Sequence, residues 1–199
     1  MADPRITLAE LKKAHKRFEA EEPRSLFYHA AKELVDLSLR GRTKLSVAEA
    51  LAVLLKTWNS GFYRFHIKFD ETHFERIEKL LLKHRAALAA YRKQSIDNLN
   101  PREEAAIIGL FQEFEQVLGP VGAAKALHLL APRLFPLWDN AIAIAYHLRL
   151  GRTGSNGDRC WRFILLSQRQ CSELKRGAPS GWNLLKSIDE YNYCRYSMK

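Results

Sequence analysis

The sequence predicts an all-α protein, and three of its features carry that expectation. Apolar residues recur at three- and four-residue spacing along almost the whole chain, the period of helices that bury one face. Residues able to cap a helix stand in front of several of those apolar series. Only residues 62–69, FYRFHIKF, alternate as a strand would, and one strand without a partner builds no sheet. A chain of 199 residues can fold as one compact domain or two closely packed helical lobes, hiding about 70% of its unfolded surface. We read 1–199 as a single helical domain without internal repeats.

Residues 1–24, MADPRITLAELKKAHKRFEAEEPR, form a polar N-terminal segment that mixes both charges. The first helix with a clear start follows Ser46. That serine can cap it, Glu49 can complete a capping box, and Leu51, Leu54, Leu55 and Trp58 form its apolar stripe. Phe74, Ile77, Leu80, Leu81, Leu88 and Tyr91 describe one long amphipathic helix after FDETH. A further helix is announced by NPREE: Asn100 caps, Pro101 takes the first helical position, and Glu103 and Glu104 suit the positive end of the dipole. Its stripe runs from Ile107 to Leu118, and Gly119 and Pro120 are expected to end it. After a glycine-rich loop at 151–157, Asp158 is expected to cap a helix holding Trp161, Phe163 and Ile164. Ser180 starts a last helix containing Trp182, Leu185 and Ile188.

Composition narrows the class. Lys and Arg number 32 against 22 Asp and Glu, a formal charge of +10, which favours polyanionic partners such as nucleic acid. Cys160, Cys171 and Cys194 are odd in number and widely spaced, so they fit neither a disulfide framework nor a four-cysteine metal site. A cytoplasmic protein follows, nucleoid-associated if the source is prokaryotic. The amino terminus has no apolar signal core, and nowhere do about 18 apolar residues run together, so no membrane partner is expected. Walker loops, His-Glu-x-x-His zinc sites and Gly-x-Ser-x-Gly elbows are missing from the sequence, and no metal or cofactor is expected.

The segment 117–148, VLGPVGAAKALHLLAPRLFPLWDNAIAIAYHL, carries the chemistry. A helix ends, a turn of small residues follows, and a second helix begins near Val121 or Gly122, a helix–hairpin–helix arrangement. Small residues at the start of a helix let a phosphate approach free N–H groups where the dipole favours negative charge. Such a hairpin grips a DNA backbone without reading bases.

In LGPVG followed by FPLWDNAIA, the chain resembles the helix–hairpin–helix DNA glycosylases, whose Leu-x-Gly-Val-Gly hairpin precedes an aspartate at the start of another helix. The adenine-specific branch has a similar Phe-Pro-x-x-Asp segment. The resemblance covers about a seventh of the chain. Pro120 replaces the usual first glycine, and the interval from Gly122 to Asp139 is a few residues short. A catalytic lysine, where members have one, lies at the position of Ala124; Lys125 is one residue later, about 100° around the helix.

The resemblance implies a helical bundle of two closely packed lobes and a monomeric base-excision-repair enzyme acting on double-stranded DNA with a damaged or mispaired base. Breaking the bond from base to deoxyribose builds positive charge on the sugar, so an ionised carboxylate beside it stabilises the transition state. Asp139 is the candidate for that role, and it also fits a helix cap. Lys125 is the candidate sugar nucleophile, giving lyase activity, or a phosphate contact. Gly119, Val121, Gly122, Arg149 and Arg152 are the candidate backbone grip, with Arg159 beside them. An everted base needs flat apolar walls and a few polar groups, for which Trp138, Trp58, Phe62, Asn59 and His128 are candidates. Each aromatic also fits ordinary helix packing, and His128 a satisfied core histidine. The alternative function is a non-catalytic helical nucleic-acid-binding protein.

Overall fold

The computed structural model describes residues 4–21 and 25–198. Among them the protein is all-helical, without a strand. Ten α-helices follow one another: α1 (Leu8–Glu21), α2 (Ser25–Leu39), α3 (Val47–Trp58), α4 (Ser60–Phe65), α5 (Glu71–Lys83), α6 (Arg85–Lys93), α7 (Glu104–Leu130), α8 (Asn140–Ala145), α9 (Gly157–Lys175) and α10 (Leu184–Asn192), with a π-helical turn at Tyr193–Ser197. None of the described helices is long and apolar enough to cross a membrane.

The expected capping box at α3 is present: Ser46 Oγ accepts the Glu49 N–H at 3.1 Å, and Glu49 Oε2 accepts the Ser46 N–H at 2.6 Å. Other expectations need correction. The polar segment 1–24 contains α1, because Leu11, Ala14 and Phe18 recur at helical spacing and are buried; α2, which buries Tyr28, Ala31 and Val35, was also not foreseen. Residues 1–3 and 22–24 of that segment lie outside the described residues. The long helix from Phe74 is two, broken at His84, with Asp70 as the cap of the first. Residues 62–65 of the supposed strand are helical, as part of α4. Asn156, not Asp158, precedes α9, and Asn183, not Ser180, caps α10.

The largest departure is at Gly119. The helix before it does not end in a loop; α7 continues through a single non-helical residue, Gly119, with φ 71° and ψ 168°. Positive φ is open to glycine and costly for residues with a Cβ. Pro120 then restarts the helix at once, in the first helical position where its missing N–H costs nothing. The result is two helical halves joined by a kink rather than a separated hairpin.

Because α7 is apolar around most of its circumference, it sits inside the molecule. It packs against α2, α3, α5 and α9. Helices α1 and α10 lie together, and α10 also contacts α9. Arg92 of α6 donates to the Leu129 and Leu130 carbonyls at the end of α7, the first bond at 3.1 Å, and pairs with Asp36 of α2. Those contacts satisfy carbonyls that a helix end leaves without partners.

Candidate functional site

A cavity of about 320 Å³ opens where α1, α3, the second half of α7, the start of α8 and α10 converge. Its lining includes Trp58, Val121, Lys125, Trp138, Asp139 and Asp189, with Phe18 and Tyr193. The volume lies at the small end of the range for ligand pockets, roughly 300–1,000 Å³.

The kink positions one wall. After Gly119, Val121 and Lys125 are one helical turn apart and so share a face. The Lys125 ammonium donates to the Trp58 carbonyl at the end of α3 and lies 5.9 Å from the centre of the Trp58 ring. Trp58 stacks in turn on Tyr28, with ring centres 5.7 Å apart and planes at 14°. Lys125 is thereby tied to an aromatic wall instead of extending into solvent.

The segment 131–139 returns the chain to the same place. Trp138 is buried, stacked on Phe163 at 5.4 Å and edge-on to Phe111 at 5.8 Å. Its indole N–H donates to the Pro120 carbonyl at 3.2 Å, which fixes residue 139 relative to the kink. Asp139 caps α8: Oδ1 accepts the Ile142 N–H at 2.9 Å. A carboxylate has about four lone-pair sites, so capping uses a fraction of its capacity. The side chain is only partly buried and borders the cavity. Cap and cavity residue are compatible here.

The rest of the lining comes in part from the far end of the chain. Asp189 of α10 is buried and pairs with Lys186 at 3.0 Å. Lys186 also lies 3.6 Å from Glu190, 4.8 Å from the centre of the Phe18 ring and 4.7 Å from that of Tyr28. Glu190 is in turn bonded to His15 Nδ1 at 2.8 Å. Desolvation raises the Asp189 pKa, Lys186 opposes the shift, and Glu190 and Asp139 add to it. The two aspartates of the cavity are therefore close enough to sense each other's charge.

Several sequence candidates lie elsewhere. Phe62 sits on the kink: a Cβ built on Gly119 would come within 2.8 Å of its ring. Asn59 donates to the Leu118 carbonyl at 3.2 Å, and a Cβ on Gly122 would meet its amide at 2.6 Å. Gly119 and Gly122 are thus small because the α3–α4 junction presses on them, and both are buried. Of the expected hairpin grip, Val121 borders the cavity. Neither Phe62 nor Asn59 is a wall of the cavity. His128 is likewise not a pocket residue: it is 1% exposed, its Nδ1–H donates to the Phe135 carbonyl at 2.7 Å, and its Nε2 accepts the Tyr28 hydroxyl at 2.8 Å. That tautomer follows because a carbonyl only accepts. Burial pushes the ring down to about 3, so it is a neutral core histidine that cannot supply a proton to the cavity.

Arg149 and Arg152 are exposed in the loop before α9. That loop is anchored on α7 one turn before the kink. Asn156 donates its N–H to buried Glu115 at 3.2 Å and accepts the Gly151 N–H at 2.7 Å. A Cβ on Gly154 would strike the Gln116 amide at 2.1 Å. Among the described residues no cluster of His, Cys, Asp and Glu has the arrangement of a metal site.

Asp189, Phe18 and Tyr193 were not anticipated. A signal for Asp189 existed, since it lies four residues after Leu185 on the buried stripe of α10, and a carboxylate on an apolar stripe asks for a partner. Comparisons of the chain with family models, with curated proteins and with solved structures find no match.

Proposed function

We propose that this protein is a DNA glycosylase that removes a damaged or mispaired base from double-stranded DNA. One observation carries the reading: Asp139, Lys125, Trp58 and Trp138, four residues singled out by this chemistry, border a single cavity. In this reading the target nucleotide is everted into the cavity between apolar and aromatic walls. As the glycosidic bond lengthens, positive charge grows on the sugar, and the Asp139 carboxylate at the edge of the cavity stabilises it. Asp139 can also orient the attacking water. The net charge of +10 supplies the attraction to the phosphate backbone, with Arg149 and Arg152 as the expected contacts.

Lys125 has two possible parts in this scheme. Released from the Trp58 carbonyl and having given up a proton, its amine would attack C1′ as the bond to the base breaks, and opening of the C1′–O4′ bond would then leave a Schiff base; held there, it contributes positive charge to the cavity wall. Trapping with borohydride separates them, because a covalent DNA adduct that Lys125→Ala loses requires the amine as nucleophile.

The deciding experiment is base release from duplexes carrying uracil, hypoxanthine, 8-oxoguanine, alkylpurines or adenine mispairs, read as abasic sites. The expected result is release from at least one duplex, reduced about 10²–10³-fold in Asp139→Asn, with little change in melting temperature because asparagine caps nearly as well as aspartate. Salt-dependent DNA binding without product from any duplex would replace the enzyme with a non-catalytic nucleic-acid-binding protein. The hydrogen bond that occupies the Lys125 ammonium is the observation that favours that second reading.

A further inference from the structure

We propose that Asp189 selects the base: its carboxylate recognises two adjacent N–H donors on an everted nucleobase, the N1–H and 2-amino pair of a guanine-type edge. The inference deepens the glycosylase reading and rests on its placing a base in this cavity.

The argument begins with the cost of the residue. A carboxylate in the wall of an apolar cavity loses hydration that must be replaced by hydrogen bonds or a counter-charge. Lys186 supplies the counter-charge at 3.0 Å to Oδ2, and its own position is set by the Phe18 and Tyr28 rings. This is one bond for a group with about four lone-pair sites. The Asp189 side chain is 9% exposed, and the space it borders is the cavity. What remains of its accepting capacity is therefore offered to an occupant.

Ionised, which burial opposes and the ion pair with Lys186 favours, the carboxylate has two parallel accepting oxygens that match a planar partner with two parallel N–H bonds, as in the bidentate pairing of arginine with carboxylates. Among the common bases, guanine and its 2-amino-6-oxo derivatives present that pair on one edge. Hypoxanthine keeps the N1–H and lacks the amino group, while adenine presents an acceptor at N1, which would face the carboxylate with like polarity. Asp139 is held differently, by the Ile142 N–H as the α8 cap. The two carboxylates thus divide the work: Asp139 faces the sugar and Asp189 the base edge.

The test measures equilibrium binding of guanosine, inosine and adenosine to the full chain by calorimetry. Guanosine should bind about tenfold or more tightly than inosine, as expected for one added hydrogen bond to a charged acceptor, and adenosine more weakly than either. Asp189→Asn and Asp189→Glu should bring guanosine and inosine to within about twofold, with folding checked by circular dichroism. Equal binding of the three nucleosides by the unaltered chain, no binding of any, or an undiminished guanosine preference in a folded variant would each overturn the proposal. Base release is scored separately. Guanosine preference without release from any duplex removes the enzyme and keeps the recognition; release without the preference does the reverse.

Discussion

Residues 121–139 and residues 186–197 lie far apart in the chain, yet both contribute to the lining of the same cavity, the first with Lys125 and Asp139 and the second with Asp189, whose partner Lys186 is outside the lining. The pairs differ in how they are held. Lys125 and Asp139 bond to backbone, at the Trp58 carbonyl and the Ile142 N–H, and both are only partly buried. Lys186 and Asp189 bond to each other, with two aromatic rings and Glu190 around the ammonium. The difference teaches that charge in this cavity is placed in two ways. A backbone bond positions the Asp139 carboxylate while leaving its charge to act on an occupant, whereas an ion pair spends most of its field internally and keeps mainly direction.

The comparison breaks most visibly at Lys186. Replacing it with methionine leaves Asp189 and Glu190 without their cation, and loss of one partner from a buried pair costs about 3–5 kcal/mol. Chemical denaturation should show a loss of that size for Lys186→Met; a change within about 0.5 kcal/mol would make the pair a surface-like contact. Asp139→Asn sharpens the same contrast from the other side. Its expected 10²–10³-fold loss of base release corresponds to about 2.7–4 kcal/mol of transition-state stabilisation, with stability nearly unchanged.

Smaller effects test the frame that holds both walls. Gly119→Ala places a Cβ at φ 71° and 2.8 Å from the Phe62 ring, and should cost about 1–3 kcal/mol. Adding Phe62→Ala should recover the steric part while leaving the backbone part, a coupling that a double-mutant cycle measures. Finally, His128 separates the walls from the core behind them. The unfolded chain takes up its proton near pH 6.5, whereas the folded ring does so at about 3. The stability that the neutral ring confers is therefore complete above pH 6.5 and lost progressively as pH falls from 6.5 toward 3. The stability difference between the unaltered protein and His128→Gln should shift by about 1.4 kcal/mol between pH 7.5 and 5.5, against the unaltered protein. A difference independent of pH would mean that the ring meets solvent.

How much of the site was legible depends on where its parts lie in the chain. Lys125, Trp138 and Asp139 belong to one continuous segment, so helical period and capping chemistry locate them without knowledge of the rest. Trp58 was found because it ends a stripe with a clear cap. Phe62, Asn59 and His128 were aromatic or polar residues near the right place in sequence, and packing turned them to other uses: two press on the kink, and one satisfies a core hydroxyl and a core carbonyl. Gly119 was expected to end a helix; its positive φ instead lets the chain bend and resume.

Local order in this protein is a matter of short-range terms, the spacing of apolar residues, the Ser46 and Asp139 caps and the cost of positive φ for residues with a Cβ, and these can be read along the chain. They established an all-helical molecule and a helix start at Asp139. Which side chains meet across the cavity is a long-range outcome. Asp189 and Asp139 border one cavity, and Lys186 lies over Phe18 and Tyr28, because α1 packs on α10 and α8 on the π-helical turn that follows α10, and hydrophobic burial fixes that arrangement without any signature in local spacing.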